Sequence, residues 1–226
     1  MNPDSPNDAK IIQSWRKNVA PWVSAVREGR IESRRQSTDA AIVEAVIERA
    51  PVSVLDVGCG EGWLARALSA RGVQVMGIDA GPELVEAARP VGGGDFQVIS
   101  YEELTAGKFR ASVDVAVCNF SLLGKESTEG VMRAVPALLN PGGAFIVQTL
   151  HPVGACGELP YRDGWRAGSW TGFGPEFTDP APWYFRTLES WAALFADCGF
   201  RLLERREPLN PETGRPASVI FISVPT

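Results

Sequence analysis

The chain has 226 residues, 22 Lys and Arg against 27 Asp and Glu, and a hydrophobic fraction of 45%, which reads as one soluble globular domain with a sizeable core. A net charge of −5 gains little from counterion release at a phosphate backbone, which disfavours a dedicated nucleic-acid binder. No apolar run approaches the ~20 residues of a membrane span, and the start, MNPDSPNDAK, lacks the basic and apolar stretches of a signal peptide.

Residues 1–9 are polar and read as frayed. From about Lys10 to Glu28 the pattern is helical but interrupted by Pro21. A second helix is expected behind the cap candidates Ser37, Thr38 and Asp39, with Ile42, Val43, Val46 and Ile47 at helical spacing and a stop before Pro51. These residues, 1–50, form an amino-terminal helical arm. Arg27, Arg30, Arg34 and Arg35 alternate with Glu28 and Glu32 there, the pattern of a solvated helix face.

Over 51–226 the period changes. Strands are expected at 53–57, 73–78, 96–99, 113–120 and 144–150, separated by helical stretches over WLARALSA, ELVEAAR and 127–139. A helix capped by Thr187 and ending at Gly199 leads into two last strands, FRLLERRE and ASVIFISV. This alternation predicts a doubly wound, seven-stranded, mostly parallel α/β sheet with an antiparallel last strand, in one structural domain. Residues 151–186 break the rhythm and hold eight of the 20 aromatics. So long and aromatic an insertion reads as an ordered lid, although its rings also suit ordinary core.

In such a sheet the ligand lies beyond the carboxyl ends of the strands, beside the first. Here that end is VLDVGCGEG, 54–62. Its glycines remove Cβ atoms where a ligand approaches the backbone, though a plain tight turn would look the same. Asp79 closes the second strand 79 − 62 = 17 residues later, near the spacing of an acid that grips ribose hydroxyls. Asp56 places a carboxylate just before the glycines, and residue 63 is Trp where a dinucleotide fingerprint has its third glycine. Both features disfavour a nicotinamide dehydrogenase, whose pyrophosphate Asp56 would repel. A ligand with an amino group or a sulfonium would welcome Asp56. Four dispersed cysteines, Cys59, Cys118, Cys156 and Cys198, form no CxxC. They argue against a metal or disulfide framework and for reduced thiols in a cytoplasm.

In order, VLDVGCGEG, GIDAGPELVEAAR, VDVAVCNFSLLG and LLNPGGAFIVQTLHP look like the motif set of class I S-adenosylmethionine (SAM)-dependent methyltransferases. The likeness covers about 53–150 and is greatest to the small-molecule branch that includes ubiquinone-biosynthesis-type enzymes. It implies SAM as methyl donor and a small-molecule acceptor. By that resemblance Gly58, Cys59 and Gly60 form the turn at the methionine part, Asp56 lies near its amino group and the Cys59 thiol itself packs. Asp79 takes the ribose hydroxyls, Ala80 packs on adenine, and Asn119 and Phe120 approach the methyl group. Relatives often place an acid beside adenine after the third strand, where this chain has Ser100 and Tyr101; a backbone contact at Tyr101 is carried over. Arg35 could reach the cofactor carboxylate from the arm. Trp15, Trp22, Trp170 and Trp183 are candidate acceptor walls. His151, the single histidine, emerges beyond the fifth strand, where imidazole could accept the acceptor's proton or simply pack; Tyr184 is the next candidate. A non-catalytic SAM-binding regulator and a protein or RNA methyltransferase remain alternatives. The acceptor atom and the oligomeric state are not readable.

Overall fold

In the computed structural model, residues 5–226 are described. Its main sheet has seven strands: β1 (Ser53–Val57), β2 (Gln74–Asp79), β3 (Asp95–Val98), β4 (Val113–Asn119), β5 (Leu139–Leu150), β8 (Phe200–Arg206) and β9 (Ser218–Pro225). Their order is β3-β2-β1-β4-β5-β9-β8, with only β9 antiparallel to its neighbours. The chain steps from β1 outward to β3 and then returns to β4 on the other side of β1. That reversal opens a crevice between the carboxyl ends of β1 and β4.

Helices cover both faces, so the central strands are apolar on both sides. On one face Leu55, Val57, Phe145 and Phe221 meet α7 (Glu126–Ala134) and α9 (Leu188–Asp197) through Val131, Met132 and Phe195. On the other, Val54, Val115, Val117 and Ile146 meet α3 (Asp39–Ile47), α4 (Trp63–Ser69) and α5 (Pro82–Ala88) through Ile42, Leu64, Leu68 and Val85. Phe145 and Phe195 are fully buried, each contributing roughly 2–3 kcal/mol by area.

Several boundaries differ from the sequence expectation, each for a local reason. The arm breaks at Asn18, between α1 (Asp8–Lys17) and α2 (Val19–Arg27), and Pro21 falls in the first turn of α2, where a missing N–H costs nothing. Residues 1–4 lie outside the described residues; of the stretch expected to fray, Asn7 instead caps α1 by accepting from the Lys10 N–H. Ser37 and Thr38 cap nothing: a π-turn over Arg34–Thr38 runs straight into α3. Strand β5 starts at Leu139, five residues early, because Leu139 pairs with Val113 ahead of a register shift. Short α6 (Tyr101–Thr105) was not anticipated, although its capping box, Ser100 with Glu103, is legible in the sequence.

The lid has two parts. Residues 164–185 begin and end in a ribbon, β6 (Gly164–Arg166) paired with β7 (Trp183–Phe185), preceded by short α8 (Pro152–Cys156). Between the two strands, residues 168–179 fold back over the arm. Asn18, wholly buried, clasps Thr178 through its amide: Nδ2 donates to the Thr178 carbonyl at 2.8 Å and Oδ1 accepts the Thr178 N–H at 2.9 Å. Ser14 donates to the Asp179 carbonyl, and Arg30 pairs with Glu176 at 2.8 Å. Arm and loop therefore make one cover.

Candidate active site

A cavity of about 450 Å³ lies under this cover, at the carboxyl ends of β1, β2 and β4. Its floor is the β1–α4 turn. Gly58, Gly60 and Gly62 all have positive φ, a region that disfavours side chains. A Cβ on Gly58 would meet Ser121 Cβ and come within 2.7 Å of the Tyr101 hydroxyl. Ser121 is itself held by donating to the Val57 carbonyl at 2.7 Å. The turn is therefore packed from behind as well as open in front.

Asp79 organises the next part. Its carboxylate accepts the Gly60 N–H at 2.9 Å and the Gly81 N–H at 2.8 Å. Burial raises its pKa from the ordinary carboxylate value, while these backbone donors pull it back. Each oxygen retains a free lone pair for a ligand hydroxyl. Asp56 is placed differently. It is only 2% exposed and does not line the cavity; burial, and then the Asp79 charge, push its carboxyl up to about 7. Asp56 thus stands behind the cavity wall rather than in it. Cys59 packs against β2 and β3: a Cβ on Gly77 would fall 2.9 Å from its sulfur. Burial pushes its thiol far up, so it is no nucleophile.

From β4, Asn119 and Phe120 line the cavity, Phe120 with φ 53° and its N–H on the Gln148 carbonyl at 2.8 Å. Asn119 Oδ1 is itself buried without a hydrogen-bond partner. Ala80, Tyr101 and Leu84 complete this half. Trp15 and Trp22 of the arm and Trp170 of the loop form the other, with Trp15 edge-on to both Trp22 (4.9 Å between centroids) and Trp170 (5.9 Å). Ile11, Val19, Phe173, Leu123 and Leu150 fill the gaps.

Other expected residues stand elsewhere. Arg35 is exposed and off the cavity, whereas Arg34 lines it, 4.4 Å over the Trp63 ring and 2.9 Å from Asp39. The π-turn sets that phase: Arg27, Arg30 and Arg35 are exposed as a solvated face requires, and Arg34 alone departs from it. Trp183 and Tyr184 belong to the ribbon: Trp183 packs on Phe185, and Tyr184 on Trp165 beneath the Arg186 guanidinium at 4.8 Å. His151 is 5% exposed and outside the wall, its Nε2 3.6 Å from a Glu207 oxygen and both ring nitrogens without hydrogen bonds. Neither His151 nor Tyr184 lines the cavity. Glu61 was missed. It sits between two glycines of the turn, its side chain fully buried, and nothing in the linear spacing revealed its partners.

Residues 30–205 match a family described as a methyltransferase domain. Among curated relatives, a ubiquinone biosynthesis O-methyltransferase from Xanthomonas axonopodis pv. citri is 39% identical over 114 residues, 48% of this chain and 47% of that one. The match spans about half the length of such relatives. Among solved structures, the 1,6-didemethyltoxoflavin-N1-methyltransferase of Burkholderia thailandensis, bound to 1,6-didemethyltoxoflavin and S-adenosylhomocysteine, superposes with a TM-score of 0.65 at 20% identity. That alignment covers 99% of this chain and 93% of the other. A SAM-dependent methyltransferase from Mesorhizobium loti gives 0.61 at 20% identity, over 81% and 95%. At that identity the structures speak for the fold alone, and they share it. With most of its length inside the matched domain, the chain belongs to the class I SAM-dependent methyltransferase family.

Proposed function

We propose that the protein binds SAM on the β1–α4 turn and transfers its methyl group to a small molecule held under the arm and loop. The observation that carries this reading is Asp79, a carboxylate anchored by the Gly60 and Gly81 N–H groups on the floor of the covered cavity. Asp79 receives the ribose hydroxyls, Ala80 and Leu84 border adenine, and the glycine turn leaves room for the methionine part. Arg34, in place of Arg35, is the arm cation that meets the carboxylate.

The sulfonium supplies an activated methyl and a good leaving group. The protein's share is alignment and exclusion of water. The acceptor's lone pair attacks the methyl carbon, the carbon–sulfur electrons return to sulfur, and the acceptor's proton leaves to solvent. No step is assigned to His151 or Tyr184, which do not line the cavity. The enzyme works in an aqueous compartment: no helix among the described residues is long and apolar enough to cross a membrane, and the reduced, dispersed cysteines fit a cytoplasm.

Calorimetry with SAM and its product tests the cofactor, and an acceptor screen read as S-adenosylhomocysteine release tests the reaction. Asp79→Ala, which removes charge-assisted hydrogen bonds of ~1.5–3 kcal/mol each, should weaken SAM at least about 100-fold in a folded protein. Unchanged affinity would remove the ribose contact. Tight binding with no turnover on any acceptor would favour a SAM-binding regulator instead.

A further inference from the structure

The matched domain begins at residue 30, so α1 and α2 lie outside it, and the question is what docks them over the site. Only a few side chains do so. Asp8 caps α7, accepting the Lys125 and Ser127 N–H groups at 3.1 and 2.6 Å. The second anchor lies inside the glycine turn. Glu61, with no exposed side-chain surface, receives both its oxygens' bonds from Arg66 of α4 at 2.7 Å and a third from Arg27 Nε of α2 at 3.0 Å. Arg27 continues to the Ala87 carbonyl at 2.7 Å. One turn before Arg27 on the same helix, the Trp22 indole nitrogen lies 3.8 Å from where a Gly60 Cβ would be.

Arg66 belongs to the domain and suffices to pair the buried carboxylate. Arg27 adds a guanidinium from outside it, aimed at the residue between two cofactor glycines. A helix gripped at Glu61 has little freedom to lift Trp22 from Gly60, because the two contacts fix both its height and its rotation. We propose that Glu61 is a positioning residue: through Arg27 it holds α2 so that the Trp22 ring closes over the methionine part of the bound cofactor and forms its boundary with the acceptor. This rests on the cofactor placement proposed above.

The placement makes a ligand-selective prediction. S-adenosylhomocysteine reaches under Trp22, whereas 5′-methylthioadenosine carries the same adenosine without the amino-acid part. Arg27 is partly exposed, and its loss leaves Glu61 paired to Arg66, so Arg27→Ala should keep its melting temperature nearly unchanged. By calorimetry its affinity for S-adenosylhomocysteine should fall about tenfold, with 5′-methylthioadenosine unaffected and Arg27→Lys restoring part of the loss. Trp22→Ala should show the same selectivity. Adding Arg27→Ala to Trp22→Ala should cost nothing further, the signature of one acting through the other. Equal losses for both ligands, no loss for either, or additive losses in the double variant would overturn the proposal. A wild-type protein that binds neither ligand would instead overturn the cofactor reading.

Discussion

The two halves of the cavity are built by different means. The floor is made of backbone: strand ends, a glycine turn, N–H groups donated to Asp79, each within about twenty residues of the next along the chain. The cover is made of side chains that meet across large sequence separations, such as Asn18 with Thr178 and Asp8 with the start of α7. A floor of that kind has little tolerance, because a Cβ at Gly58 or Gly62 would collide with a neighbour. The loop half of the cover, 168–179, is mostly exposed and tolerates more. The difference suits the function proposed above, with a constant cofactor half and an acceptor half that admits and releases molecules.

The strongest challenge to this contrast is Gly58→Ala. The new methyl would be forced into a left-handed backbone and onto Ser121 and Tyr101, for about 2–5 kcal/mol of destabilisation and loss of measurable SAM binding. Chemical denaturation and calorimetry check both, and a variant that keeps wild-type affinity would show that the floor is not rigid.

Asp56 sharpens the contrast through pH. Its folded-state carboxyl, near 7, lies above the ~3.9 of an unfolded chain, so the folded state holds the proton more tightly. Ionisation therefore penalises folding progressively from about pH 4 to 7 and fully above that. Asp56→Asn should match wild type near pH 4 and exceed it by roughly 2–4 kcal/mol above pH 7. Denaturation curves at the two pH values decide it; a constant difference would mean Asp56 is ionised and compensated throughout.

The smallest effect belongs to the cover. Asn18→Ala removes the clasp on Thr178 and should cost about 1–2 kcal/mol, felt locally. Hydrogen exchange in 168–179 should accelerate several-fold while β4 and β5 stay protected. Uniform acceleration would mean that cover and body unfold as one.

How much of this was legible follows the same division. The doubly wound sheet, its antiparallel closing strand, the turn carrying Gly58 and Gly60, and Asp79 at the end of β2 could be read because they depend on period and on residues close in sequence. Trp15, Trp22 and Trp170 were also readable as walls, since aromatics concentrated in an arm and an insertion have few other places to gather. Trp183 and Tyr184 shared that composition yet went to the ribbon, because strand pairing at Trp165 and Tyr184 turned their rings onto each other. His151 was placed by its strand end alone, and the direction of its side chain followed from packing beside Glu207.

The sequence by itself determined the architecture and the glycine-turn floor of the cavity. Hydrophobic period, glycine and a carboxylate at a strand end act through local backbone geometry, which neighbouring residues specify. The tertiary structure alone decided which arginine faces the cavity, which aromatics line it, and that Glu61 joins the arm to the glycine turn. Those outcomes depend on helix phase and on ion pairs between residues tens of positions apart. Such pairings form only once the chain has closed on itself, because no local interaction selects one partner over another.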